Sequence, residues 1–442
     1  MKLKIIAFSI LPFLVTSLTA QEMWSLSKCV DYAVQNNITV QKMALQTEYQ
    51  KLNLKTSQWS FVPNLSAGLV QNFSFGRATG NDNITTSQSL ASTNFTISTS
   101  MPLFSGFRIA NQIASDKLNL QAAIEDLNKA KEDLTLNVTA FYLNVLYNKE
   151  LVNITQEQVK LSEEQVKNTQ YLVESGRRSE SELYEHKAQL ANDQQTNVEA
   201  SNALRLAILD LCQSINYPDI DNFDIAAIDT KTLIEASDLS LLSLQDAYAT
   251  SLTLRPSIKA SERRIESSKK GLRIAQSAYY PQLDLQAGYN TGYFHAFQLN
   301  NIAFGQQLKD NSSEAVVLSL SIPIFNRLAS VNRVKQAHIN ILNQELELEN
   351  VKQVLLKEIQ TAYYNALAAR EKYIAATKTS EAARISFEFE QAKYNGGKST
   401  PFDLNNAKTR LEKSLSQETQ AKFDFIFRTK IFDFYNGKSI VF

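Results

Sequence analysis

The spacing of apolar residues along this chain switches between two periods. Between positions 64 and 75, Leu65, Ala67, Leu69, Phe73 and Phe75 share one parity, and Ser66, Gly68, Asn72 and Ser74 share the other. A period of two is that of a strand with one apolar face. The alternation returns at Phe95, Ile97, Met101 and Leu103, which stand between Asn94, Thr96, Ser98 and Ser100. It returns again at Leu283, Leu285, Ala287, Tyr289 and Tyr293, and at Val316, Leu318, Leu320 and Ile322. The predicted strands cover residues 62–76, 92–104, 280–294 and 315–325. Strands of this length cross a bilayer when tilted. The polar stretches 76–92 and 294–314 are predicted loops.

Elsewhere the period is helical. Leu134, Val138, Phe141 and Val145 advance by three or four residues, as do Val351, Leu355, Ile359, Ala362, Ala366, Ala369, Tyr373 and Ala376. That is coiled-coil spacing with many small residues at the seam. No proline interrupts residues 108–175. A helix of that length would reach roughly 100 Å at ~1.5 Å per residue. Further helices are predicted over 179–214 and 401–434, with shorter ones over 26–59 and 244–278. Pro63, Pro102, Pro281 and Pro323 fall at the four helix–strand changeovers, where a missing N–H does least harm.

The landmarks come in pairs. Ser25-Leu26 matches Ser243-Leu244, and Pro63 matches Pro281. Ser100-Met101-Pro102-Leu103-Phe104 matches Ser321-Ile322-Pro323-Ile324-Phe325, and Thr139-Ala140-Phe141-Tyr142 matches Thr361-Ala362-Tyr363-Tyr364. Gly176, Leu183 and Leu190 match Gly397, Leu404 and Leu411. Each second member follows its first by about 220 residues, in the same order, which is the mark of a duplication. The expected division is a first structural repeat over 21–217, a linker over 218–240, a second repeat over 241–437 and a tail over 438–442.

Composition narrows the class. With 45 acidic and 45 basic residues the chain has no excess charge to offer nucleic acid. Only 12 glycines and 8 prolines serve the whole chain, which favours long unbroken elements. Residues 1–20 read as a secretory signal, with Lys2 and Lys4 before an apolar run. No later stretch is long and apolar enough to be a membrane helix, so a membrane location would require a barrel. Aromatic residues at the strand ends (Trp59, Phe61, Phe104, Tyr279, Tyr280, Phe294 and Phe325) resemble an interfacial girdle. Four strands cannot close a barrel, since about eight is the practical minimum. The barrel must then be shared among copies; three would give twelve strands, with the helices continuing as a hollow cylinder. Cys29 and Cys212, the only cysteines, are either a disulfide in an exported chain or two small buried hydrophobes.

The run Ser25-Leu26-Ser27-Lys28-Cys29-Val30-Asp31-Tyr32-Ala33-Val34-Gln35-Asn36-Asn37 after a signal is familiar. So are the strand starts Val62-Pro63-Asn64-Leu65 and Tyr280-Pro281-Gln282-Leu283, and the strand ends Pro102-Leu103-Phe104-Ser105-Gly106 and Pro323-Ile324-Phe325. This ordered set resembles the TolC-like outer membrane factor family over essentially the whole mature chain. Cys29 and Leu211-Cys212-Gln213 are similar to Bacteroidetes members. The resemblance implies a mainly α protein with a membrane β-barrel portion. Its long antiparallel coiled-coil helices would form a periplasmic tunnel, and its four strands would join a twelve-stranded barrel. It implies a homotrimer in outer membrane lipid, with no cofactor and no catalysis. It also implies a periplasmic adaptor and an inner-membrane pump as partners, in a tripartite efflux pump or a type I secretion system. The alternative is a non-conducting structural or adhesive coiled-coil protein, whose inward helix faces would be apolar.

The resemblance places a pore constriction where the helix pairs turn, at Ser175-Gly176-Arg177-Arg178 and Asn395-Gly396-Gly397-Lys398. Glu182 and Asp403 each stand six residues past the aligned glycines. Repeated by symmetry they would form anionic rings, although a carboxylate there also simply complements a helix N-terminus. Asp403 and Tyr394 match family constriction residues. The second family acid is Asn406 here, and the family arginine is Ser399, with Lys398 as a candidate substitute. Gly176, Arg177, Arg178, Gly396 and Gly397 are the expected adaptor contacts. Other motifs lead nowhere. Gly397-Lys398-Ser399-Thr400 lacks the upstream glycine of a phosphate loop, where Ala392 stands instead. His186, His295 and His338 lack metal-ligand spacing.

Overall fold

The computed structural model describes residues 23–79, 83, 85–235, 243–297 and 300–440. The signal expected at 1–20 lies outside them, as do residues 236–240 of the linker and the last two residues of the tail. The elements run α1 (Leu26–Asn36), α2 (Ile38–Trp59), β1 (Asn64–Thr79), β2 (Thr85–Ser105), α3 (Arg108–Glu174), α4 (Glu180–Ile215) and α5 (Thr230–Glu235). They continue as α6 (Leu244–Leu254), α7 (Pro256–Gln276), β3 (Gln282–Ala296), α8 (Phe304–Asp310), β4 (Ser313–Ser321), α9 (Ala329–Asn395) and α10 (Pro401–Tyr435). Setting aside the short α5 and α8, the order α-α-β-β-α-α occurs twice. The chain nonetheless packs as two units that each draw on both halves: residues 1–41, 131–251 and 357–442 in one, and 42–130 and 252–356 in the other.

The second of these units holds one antiparallel sheet in the order β1-β2-β3-β4. Its register keeps apolar residues on a common face: Leu69 opposes Phe95, Ile97 opposes Tyr289, and Leu285 opposes Leu318. That face is open. Leu65, Phe75, Val316 and Leu318 each expose more than 60% of their surface. An apolar sheet face of this extent does not belong in water. Both edges, β1 and β4, lack a further strand partner among the described residues, and open edges of this kind are templates for pairing with another chain.

The strands differ from expectation at their ends. β1 and β2 run to Thr79 and from Thr85, so most of the loop predicted at 76–92 is ladder. Pro102 does not end β2; it sits within it, at a register shift between Pro102 and Phe104. Proline cannot donate to the ladder and is tolerated at such bulges. The slip puts Phe104 opposite Leu283, on the face that simple alternation gives to Leu103. β4 ends at Ser321, short of the predicted 325. The loop predicted at 294–314 contains α8, because Gln307 replaces a strand partner. Its side chain bonds the N–H of Phe294 and the carbonyls of Phe294 and Ile302, each at 2.9 Å.

In the other unit the linker is tied down at Ile225 and Ala226. Trp24 and Ile225 form a parallel bridge, and the Tyr142 hydroxyl donates to the carbonyls of Trp24 (3.1 Å) and Ala226 (2.8 Å). The helices predicted over 26–59 and 244–278 are each broken, at Asn37 and before Pro256. The amide of Asn37 donates to the Ser214 carbonyl at 3.0 Å, and proline cannot continue the preceding hydrogen-bond ladder. Cys29 and Cys212 are free and buried, the second of the two readings of the sequence. Burial pushes the Cys29 thiol up to about 12, with Cys212 adding to the rise.

Candidate functional site

Two helical hairpins, α3–α4 and α9–α10, turn through glycines. Gly176 has φ +72° and Gly397 has φ +70°, the left-handed region where a side chain is strained. Each turn closes with the same pair of backbone bonds. Arg177 N–H reaches the Leu172 carbonyl (2.8 Å) and Gly176 N–H that of Val173 (2.9 Å); Lys398 N–H reaches Lys393 (2.9 Å) and Gly397 N–H reaches Tyr394 (3.0 Å). This is a Schellman cap. Each following helix opens on a hydroxyl cap: Ser179 accepts from Glu182 N–H at 3.3 Å, and Thr400 from Asp403 N–H at 3.2 Å.

The side chains then diverge. Arg178 turns into the other hairpin. Its Nη2 donates to the Tyr394 carbonyl at 2.9 Å, and its Cζ lies 4.6 Å from the centre of the Tyr394 ring. Its Nη1 donates to Glu182 Oε2, also at 2.9 Å. The Tyr394 hydroxyl meets His186 Nε2 at 2.8 Å and reaches Glu182 Oε2 at 3.5 Å. Burial above all pushes this hydroxyl upward in pKa, against a hydrogen bond with Thr169 and the charge of Arg178, which lower it. Burial also lowers the His186 pKa, so the ring is held neutral despite Glu182 and Glu185. His186 Nδ1 is buried and has no partner among the described residues. A lone pair there costs less than an orphaned N–H, which favours Nε2–H donating to Tyr394 and Tyr394 donating to Glu182. Beneath the contact, Phe387, Tyr394, Leu404, Ala407 and Leu411 form a buried apolar cluster.

Of the residues expected at a constriction, the structure brings Glu182 and Tyr394 together. Asp403 is exposed and accepts from the Thr400 hydroxyl at 2.7 Å, within its own capping box. Lys398 is exposed and Asn406 is half-buried. Ser399, at the position of the family arginine, bonds Glu390 within its own hairpin. The cation that joins the two turns is therefore Arg178, from the first turn. Of the expected adaptor contacts, Gly176, Arg177, Gly396 and Gly397 are exposed; Arg178 is partly covered by the Tyr394 contact. The sequence reading gave Arg178 a place among the adaptor contacts rather than this role, and considered His186 only as a metal ligand. Both could have been found: Glu182 and His186 stand one turn apart on α4, and Arg178 lies four residues before Glu182, just ahead of the helix cap.

Comparison with known proteins agrees with this fold. The family described as outer membrane efflux protein matches residues 29–216 and 247–425, most of the chain. The chain is 21% identical to the outer membrane efflux protein BepC of Brucella suis biovar 1 (strain 1330) over 396 residues, which is 89% of this chain and 81% of that protein. It is 23% identical to outer membrane protein TolC of Escherichia coli (strain K12), over 69% of this chain and 62% of that one. Its fold is similar to that of CusC, solved in a study of its folding and transmembrane channel formation, with a TM-score of 0.77, 16% identity and 96% of both chains covered. A mainly helical chain with one open, apolar, four-stranded sheet and two glycine-turned hairpins, matched by that family across both halves, belongs to the outer membrane efflux protein family, a family of outer membrane channels.

Proposed function

We propose that three copies of this chain close a twelve-stranded barrel in the outer membrane. Their helices would form a periplasmic duct that receives cargo from an adaptor and an inner-membrane pump. The observation that carries this reading is the sheet itself, which among the described residues has two unpaired edges and an uncovered apolar face. In lipid every backbone group must be paired, so the edges must meet those of other copies. The first test is the native mass in mild detergent. A trimer is expected, and a stable monomer would contradict the shared barrel.

The hairpin turns are the constriction in this reading. Arg178 ties the first turn to Tyr394 of the second hairpin, and Glu182 and Asp403 supply negative charge at the starts of α4 and α10. Carboxylates repeated around a symmetry axis favour cations. The exposed glycine turns are the surface offered to the adaptor. Single-channel recording in planar bilayers tests the assignment. The wild type is expected to give small cation-selective steps that grow in a Glu182→Ala, Asp403→Ala double variant. Equal steps would remove the constriction from these residues.

A further inference from the structure

About two helical turns into α10, a second polar cluster is enclosed. Lys408 is fully buried, a rare state for lysine. Its ammonium donates to Asp193 Oδ2 at 2.5 Å, to Ser162 Oγ, and to the Gln158 carbonyl at 3.3 Å. Asp193, 4% exposed, also accepts from Ser162 at 2.5 Å and from Gln189 at 2.7 Å. One turn along α10, Glu412 Oε1 lies 3.9 Å from Lys408 Nζ and is buried without a hydrogen bond among the described residues. α3, α4 and α10 thus meet at one ammonium and two carboxylates.

That count is unbalanced. Two ionised carboxylates against one ammonium would leave a net negative charge in a largely enclosed site, where Lys408 and Asp193 are buried and the Glu412 side chain is only 25% exposed, which is costly. Asp193 is held by three donors, so the proton falls to Glu412. Burial raises Glu412 to about 7, helped by Asp193 and opposed by Lys408. The other groups facing the cluster are uncharged. α3 brings Gln158 and Ser162, α4 brings Gln189, and α9 packs nearby with Ala383 and Phe387. His186, toward the turn and near enough to feel the charge of Lys408, is held neutral.

We propose that Lys408, Asp193 and Glu412 form a proton-set latch, with Lys408 as the positioning residue that holds α10 against α3 and α4. When Glu412 carries a proton, Lys408 belongs to Asp193 alone and the hairpins are clamped. When Glu412 ionises, it competes for the same ammonium and the clamp loosens. The sign follows from linkage. A carboxyl raised in the folded state adds stability that is full below its unfolded pKa and is lost as pH rises through the folded value. The window is the interval from the ordinary carboxylate range up to about 7. The latch is a property of one chain; only its effect on current rests on the channel reading.

Hydrogen exchange of the purified full-length protein between pH 5.5 and 8.5 tests the latch directly. Corrected for the intrinsic pH dependence, protection of amides around Lys408 and Glu412 is expected to fall by up to about tenfold per pH unit as pH rises to about 7 and to level off above it. Glu412→Gln is expected to stay protected throughout. In planar bilayers the wild-type current is expected to rise across the same window, and that of Glu412→Gln to stay low. Flat wild-type protection, or the same pH profile in Glu412→Gln, overturns the latch. Should Glu412→Gln fail to assemble, the wild-type exchange profile alone still decides. An absence of current at every pH with the exchange profile intact would count against the channel and leave the latch standing.

Discussion

The turn at Gly176 and the turn at Gly397 share a backbone: the same left-handed glycine, the same pair of closing bonds and a hydroxyl cap with an acid three residues on. Their charged side chains behave differently. Arg178 crosses to the other hairpin and holds Tyr394, and Glu182 turns to meet it. Lys398, in the corresponding turn, points to solvent, and Asp403 stays with its own cap residue. The two turns share a scaffold, and a few side chains make them unequal. At the turns themselves the charged link is supplied from the first hairpin, by Arg178.

The largest break in this contrast should come from Arg178→Ala. It removes two hydrogen bonds to a charged group, so a loss of about 2–3 kcal/mol is expected, discounted for partial exposure. Thermal unfolding of the detergent-solubilised protein would read it. Gly176→Ala and Gly397→Ala should each cost about 1–2 kcal/mol, because each forces a side chain into left-handed backbone. Near equality is the result that matters, and a large difference between them would mean that the turns are not equivalent scaffolds. Ser179→Ala and Thr400→Ala should each lose about 1 kcal/mol of helix capping. Lys398→Ala should shift stability by less than about 0.5 kcal/mol, as exposed sites do. A cost approaching that of Arg178→Ala would give the second turn a partner that the structure does not show.

Much of this was legible in the sequence. The four alternating runs and the prolines at 63 and 281 announce the strands, and the long proline-free stretches announce α3 and α9. Local periodicity carries no record of tertiary partners. The bulge that moves Phe104 onto the apolar face depends on pairing with β3, and α8 depends on a single glutamine satisfying the backbone of another element. Both are invisible to a reading of alternation. At the turns, the glycines and acids could be placed by their offset, but Arg178 reads as surface charge until Tyr394 is seen beside it. His186 was set aside as a metal ligand for sound reasons, and its role as a neutral partner to a tyrosine needs no ligand spacing. Lys408 and Asp193 stand 215 residues apart in the chain, and no spacing rule joins them.

Arg178 is the cation that ties one turn to the other, so the most direct measurement is single-channel conductance of Arg178→Ala beside Lys398→Ala in planar bilayers. The prediction is larger steps in Arg178→Ala and wild-type steps in Lys398→Ala. Wild-type steps in both, or larger steps only in Lys398→Ala, would contradict it.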